Sequence, residues 1–293
     1  MRAVQIDAHG GPERLTVREV PEPKAVEGEL LVRTVASTLN PVDWKTRAWE
    51  SVGIEPPATL GWDSAGVVVG GAVDGFAVGD RVFAMSAQVA TGLGTWAELV
   101  SLPARLVAHA PATLTLPEAA TLPLAGVTAV QALEKLRLKE GQRLLVTGGV
   151  GAVGGLAIQL ARHAGIVVDT LVSRAEHVAE ARALGAELVI DRPVNLPHDS
   201  YDGALDTAGV DVSAAVAPGG AYVSVSDEPL PDLPGAAKSY VQEDNQALAR
   251  LAALVDAGEL RTRVAAYHPV DEVRLAHERF EAGGLLGKVV LLF

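Results

Sequence analysis

"LLVTGGVGAVGGLAIQLA", Leu144 to Ala161, is an apolar run that breaks into glycines and then resumes with helical spacing. Gly149, Gly151 and Gly154 stand as GxGxxG directly after the apolar strand Leu144 to Val146. A helix with Val153, Leu156, Ala157 and Leu160 on one face follows directly. A strand before and a helix after turn this pattern from a bare turn into a dinucleotide fingerprint. In that setting Gly149 permits the tight turn, Gly151 lets the backbone approach a pyrophosphate, and Gly154 lets the helix pack closely on the sheet. The helix N-terminus offers free N–H groups and a positive dipole end to the phosphates. The expected contacts are therefore Gly149, Val150, Gly151, Ala152, Val153 and Gly154.

The next strand decides the form of the cofactor. Sites for NAD commonly place Asp or Glu about 20 residues on, to hold the ribose 2′-OH. Here, nineteen residues past Gly154, the chain carries Ser173 and Arg174. A hydroxyl followed by a guanidinium suits a 2′-phosphate, hence NADPH. Asp169 lies mid-strand, four residues too early, and reads as a strand-edge residue. Arg192, closing the next strand, adds a second positive charge at the same place or is a solvated surface arginine.

Outward from this stretch, the first hundred residues carry β-branched runs punctuated by Gly and Pro, such as "ELLVRTVAST" and "AGVVVGG". They read as a barrel-like all-β domain. Thr115 and Glu118 make a capping box, and a helical pattern follows through Leu136. From Arg143 strands and helices alternate, which implies a doubly wound parallel sheet. The fold class is thus α/β. Domain boundaries are expected at 1–112 with 264–293 for the β domain, and 113–263 for the dinucleotide-binding domain.

Composition narrows the rest. A formal charge of −12, with acids and bases mixed along the chain, offers no basic stripe for nucleic acid. No segment approaches the roughly 20 apolar residues that span a bilayer, and no signal peptide opens the chain. A cytoplasmic location fits. Zero cysteines remove thiolate nucleophiles and Cys-containing zinc sites, and the seven histidines form no chelating pair. They read as isolated surface histidines, and no metal is expected.

Further motifs run almost end to end: "NPVDWKTR" (Asn40 to Arg47), "LGWDSAGVV" (Leu60 to Val68), "FAVGDRVF" (Phe76 to Phe83), "TLPLAGVTAVQAL" (Thr121 to Leu133), "LGAELVID" and the terminal "GKVVL" (Gly287 to Leu291). With them the chain resembles the medium-chain dehydrogenase/reductase superfamily, in its zinc-free quinone oxidoreductase branch. The resemblance implies a GroES-like catalytic domain and a Rossmann domain with strand order 3-2-1-4-5-6. It also implies NADPH and a homodimer, for which the strand-forming "KSYVQE" (Lys238 to Glu243) sits where relatives pair subunits. It places Asn40 and Thr128 beside the nicotinamide and substrate, and Lys288 at the cofactor. Where zinc enzymes of the superfamily carry a ligand Cys this chain has Asn40, where they have a His-Glu pair it has Trp62 and Asp63, and a second ligand Cys falls near Ala125.

The chemistry left is hydride transfer to a quinone or to the β-carbon of an enone. Charge then builds on the carbonyl oxygen, which needs a donor. Lys45 is the nearest candidate, with solvent water as the alternative. Asp43 reads as a brace of the Asn40 turn. Trp44 and Trp62 either wall an apolar pocket for a planar substrate or belong to the core. A short-chain dehydrogenase is excluded because Ala152 occupies a required glycine and no tyrosine has Lys four residues on. A serine hydrolase is excluded by the absence of GxSxG. A non-catalytic NADPH-binding sensor or interaction protein on the same fold stays open.

Overall fold

The computed structural model describes the backbone of residues 1–293 and every side chain except that of Val52. The chain divides into two units. Unit 1 comprises Met1–Leu124, Glu243–Ala257 and Thr262–Phe293, and unit 2 comprises Ala125–Gln242 with Gly258–Arg261.

Unit 1 opens with β1 (Arg2–Ile6), β2 (Leu15–Glu19) and the ten-residue β3 (Glu29–Thr38), then α1 (Pro41–Ala48) and β4 (Ala58–Thr59). β5 (Asp63–Gly70), β6 (Arg81–Met85), β7 (Leu99–Pro103), β8 (Val107–His109) and the single turn α2 (Leu116–Ala119) follow. α3 (Pro123–Leu136) leads into unit 2, which holds β9 (Arg143–Thr147), α4 (Ala152–His163), β10 (Val167–Leu171), α5 (Val178–Leu184), β11 (Val189–Ile190), β12 (Tyr201–Asp206), β13 (Val216–Ser224) and β14 (Ala237–Lys238). The tail supplies α6 (Asn245–Asp256), β15 (Val264–Pro269), α7 (Val273–Glu281) and β16 (Lys288–Leu292).

In unit 1 a small sheet runs β2-β1-β4, and a larger one runs β15-β16-β3-β5-β6-β8 with β7 also on β3. Alternation along the strands sends Val4, Ile6, Leu15, Leu39 and Leu60 into one core with Trp96, Val273 and Leu291. Leu30, Val32, Val68, Val82 and Leu102 form a second. The sheet of unit 2 runs β11-β10-β9-β12-β13-β14, all parallel, which is the expected 3-2-1-4-5-6 order.

Several sequence readings change. The helical pattern after Thr115 is two helices: Pro123 has no N–H to donate, and a proline restricts the residue before it, so the first turn stops at Ala119. Residues 113–124 and α6 group with unit 1, whereas the sequence reading assigns them to the dinucleotide-binding domain. α6 packs on β8 and β6, and its Asp256 carboxylate accepts the N–H groups of Ala112 (3.0 Å) and Thr113 (2.9 Å). "KSYVQE" gives only Lys238 to a strand. Nor are all histidines at the surface: His277 is fully buried, with Arg47 Nη1 donating to its Nδ1 at 3.0 Å. Burial, with the Arg47 charge beside it, pushes its pKa down to about 3.

Asp169 is a buried centre of unit 2 rather than an edge residue. Its carboxylate takes Arg143 Nε at 3.0 Å and Nη2 at 2.9 Å, Leu188 N at 3.0 Å and the Tyr201 hydroxyl at 3.0 Å. This ties β9, β10 and β12 together below the glycine turn. Tyr201→Phe removes one hydrogen bond to a charged acceptor and is expected to cost about 1.5 kcal/mol. A lower urea midpoint at unchanged slope checks this.

Candidate functional site

In unit 1 the antiparallel register sets Thr38 of β3 opposite Val290 of β16 and Ala36 opposite Ala65 of β5. That register brings Asn40, just past β3, to Lys288 at the start of β16 and to Asp63 at the start of β5. Asp63 is fully buried. Its Oδ2 accepts from the Thr38 hydroxyl, from Asn40 Nδ2 at 2.8 Å and from Lys288 Nζ at 3.3 Å. Its Oδ1 accepts from Leu124 N at 2.7 Å, and its main-chain carbonyl from Ser37 Oγ at 2.5 Å and Thr95 Oγ1 at 2.6 Å. Lys288 Nζ also donates to Asn40 Oδ1. Both ends of the Asn40 carboxamide are thereby fixed, one by the carboxylate and one by the ammonium.

Asn40 is also the N-cap of α1. The Asp43 carboxylate accepts the Asn40 N–H at 2.7 Å, the brace the sequence suggests. Asp43 is fully buried, and its Oδ1 has no hydrogen-bond partner among the described residues. Burial, reinforced by the nearby Asp63 charge, pushes its pKa up to about 8, against the lowering effect of the Asn40 N–H. At neutral pH Asp43 is thus mostly protonated.

Lys45 is half-exposed on α1, with Nζ 5.9 Å from the Trp44 ring centroid. Trp44 meets Trp49 edge to face at 5.1 Å. Trp62 packs against the core of unit 1. The structure thus gathers Asn40 and Lys288 of the predicted residues, and adds Asp63, whose partners 25 and 225 residues away in sequence leave no local signal. The only sequence sign of Asp63 is an acid in "GWDSAG", where the superfamily's zinc enzymes have His-Glu.

In unit 2, Thr128 is buried on α3. The glycine turn leaves β9 with Gly148 at φ +66°, so the left-handed residue is Gly148 and not Gly149. This corrects the sequence reading, which gives the tight turn to Gly149. Gly149 is small because a Cβ there would meet Thr170 Oγ1 at 2.0 Å. At Gly154 a Cβ would lie 2.4 Å from the Gly148 carbonyl oxygen, so the close approach of α4 there is to the turn itself rather than to the sheet. A Cβ at Gly151 would find only that carbonyl oxygen within 4 Å, at 3.1 Å. Val150 is buried, while Ala152 and Val153 are half-exposed in the first turn of α4, whose N–H groups have no acceptor within the helix. The turn therefore fits a pyrophosphate.

β10 and β11 pair in parallel with Leu171 opposite Ile190. Ser173 and Arg174 lie just past one strand and Arg192 just past the other, all exposed at the carboxyl edge of the sheet. Arg174 Nη1 lies 3.5 Å from Glu176 Oε1, a long and exposed contact. Among the described residues no group of three or more His, Asp or Glu is placed to hold a metal ion, and no helix is long and apolar enough to cross a membrane.

Two outcomes follow from the polar cluster of unit 1. Asp63→Asn leaves the buried Lys288 ammonium without its counter-charge and is expected to cost about 3–5 kcal/mol, read by urea unfolding at pH 7. Asp43 holds, between pH 3.8 and about 8, a proton that the unfolded chain releases, so its contribution to stability declines as pH rises through that window and is fully lost above it. Asp43→Asn removes this slope. The stability of the variant relative to the parent should rise from pH 5 to pH 8.5, and a constant difference would contradict the assignment.

The chain matches the family model of the alcohol dehydrogenase GroES-like domain over residues 26–112 and that of the zinc-binding dehydrogenases over 175–291. It is 33% identical to the 2-methylene-furan-3-one reductase of Solanum lycopersicum, over 99% of this chain and 79% of that protein. It is 32% identical, with the same coverage, to the chloroplastic NADPH-dependent alkenal/one oxidoreductase of Arabidopsis thaliana. The solved quinone oxidoreductase of Coxiella burnetii superposes with a TM-score of 0.89 at 29% identity, covering 100% of this chain and 99% of that one. With both family models in chain order on a GroES-like unit and a 3-2-1-4-5-6 sheet, the chain belongs to the medium-chain dehydrogenase/reductase superfamily, among its quinone oxidoreductase and alkenal/one reductase members.

Proposed function

We propose that the chain is a zinc-independent, NADPH-dependent reductase that delivers hydride to a quinone or to the β-carbon of an α,β-unsaturated carbonyl. The observation that carries this is the glycine turn of unit 2 with Ser173, Arg174 and Arg192 along the same sheet edge. An anion cradle and exposed guanidinium groups suit a pyrophosphate and a 2′-phosphate. The relatives named for NADPH and for alkenals or quinones support the substrate class.

NADPH, when bound, supplies the hydride. The acceptor's carbonyl oxygen then gains charge and requires a donor. We assign Asn40, Lys45 and Thr128 to the acceptor and the nicotinamide, with Lys45 donating to the enolate or quinol oxygen. Lys288 holds the Asn40 carboxamide in the one orientation that its own ammonium and Asp63 allow. Zinc does not fit these residues: Asn40 stands where the zinc enzymes have a cysteine, and the Asp63 carboxylate already faces an ammonium at 3.3 Å and three further donors. The same reading takes the protein as a cytoplasmic homodimer, with β14 at the free edge of the sheet of unit 2 as the pairing strand.

NADPH oxidation against a panel of quinones and enones tests the activity. Turnover is expected. NADPH binding with no turnover on any of them leaves a non-catalytic NADPH-binding protein, and binding of neither nicotinamide cofactor overturns both. Arg174→Ala removes a charge-assisted phosphate contact of about 1.5–3 kcal/mol, so the Kd for NADPH should rise roughly ten- to a hundredfold while that for NADH stays unchanged. Equal losses would show that Arg174 does not meet the 2′-phosphate.

A further inference from the structure

The parallel sheet of unit 2 reverses its order between β9 and β12, and ligands of such sheets lie outside the carboxyl ends at that point. The last residues of the two strands are Thr147 and Asp206, and they are joined. Thr147 Oγ1 donates to Asp206 Oδ1 at 2.7 Å and accepts Thr207 N at 2.9 Å. Thr207 Oγ1 returns a bond to the Thr147 carbonyl at 2.7 Å. Asp206 Oδ1 further accepts the N–H groups of Ala208 (3.1 Å) and Val210 (3.0 Å). Its Oδ2 accepts the hydroxyls of Ser224 (3.0 Å), the last residue of the neighbouring β13, and of Ser226 (3.1 Å) beyond it. Asp206 is buried and Thr147 fully so. One carboxylate and one hydroxyl therefore shape the chain leaving β12 and the chain leaving β13.

A dinucleotide laid across this point has its pyrophosphate at the glycine turn after β9. Arg174 and Arg192 take the phosphorylated adenosine to the β10 and β11 side. The other half must run over β12 and β13, where the backbone is shaped by Asp206. We propose that Thr147 and Asp206 are the positioning residues for the nicotinamide half of NADPH, holding segments 207–210 and 224–226 as its bed. This rests on the NADPH reading above. The pair acts through the backbone it orders and not by contact with the reacting atoms.

Two ligands separate this role from a general structural one: NADPH, and adenosine 2′,5′-bisphosphate, which lacks the nicotinamide half. Thr147→Val keeps the shape of the buried side chain and removes its donor and acceptor. By fluorescence titration and competition, the variant should bind NADPH at least tenfold more weakly and adenosine 2′,5′-bisphosphate within twofold of the parent, with Thr147→Ser restoring NADPH. A Ser224→Ala, Ser226→Ala double variant, which frees the Oδ2 side alone, should show the same split in milder form and serves if Thr147→Val does not fold. Equal weakening of both ligands, or unchanged NADPH binding in a folded variant, overturns the proposal. If the parent protein binds neither ligand, the NADPH reading itself fails and this proposal with it.

Discussion

One buried carboxylate organises unit 1. Asp63 receives a hydroxyl from β3, a carboxamide from the start of α1, an ammonium from β16 and a main-chain N–H from α3, and so pins four elements at one point. Burying a charge costs several kcal/mol unless it is paired and hydrogen-bonded, and here every bond is to a group whose own position is thereby fixed. Such an arrangement contributes uniqueness more than net stability. A slipped register in β3 or β16 would leave a carboxylate or an ammonium alone in an apolar interior, a state far less stable than the native one.

The second carboxyl, Asp43, follows from the first. Fully buried and near the Asp63 charge, Asp43 keeps a proton and serves Asn40 as a neutral acceptor. The Lys288 charge and the Asn40 N–H both favour the ionised form of Asp43, but burial outweighs them. Unit 2 uses its acids differently: Asp169 binds the strands from within the sheet, and Asp206 shapes what lies beyond their ends.

The parts of this fold that repeat locally could be read from residue order. The βα alternation of unit 2 and the glycine turn lie within short windows, and the parallel sheet follows from the alternation. What could not be read depends on register. Asp63 and Lys288 are 225 residues apart, and nothing in either neighbourhood announces the other. Which glycine takes the left-handed conformation is not local either: Gly148 and Gly149 are equivalent in sequence, and only the backbone gives the positive φ to Gly148. The apolar spacing after Thr115 survives the interruption before Pro123 and so does not show it, and the amphipathic pattern of α6 names a buried face without naming what buries it.

The seven-stranded sheet of unit 1 is completed at one edge by β15 and β16, which the chain supplies only after all of unit 2. During synthesis from the N-terminus, unit 2 has its whole sheet in hand while unit 1 still lacks two strands, and Asp63 waits buried or solvated without Lys288. The polar cluster around Asn40 is therefore among the last things this protein makes. A chain ending at residue 260 would hold every strand of the parallel sheet and lack two of the seven strands of the other.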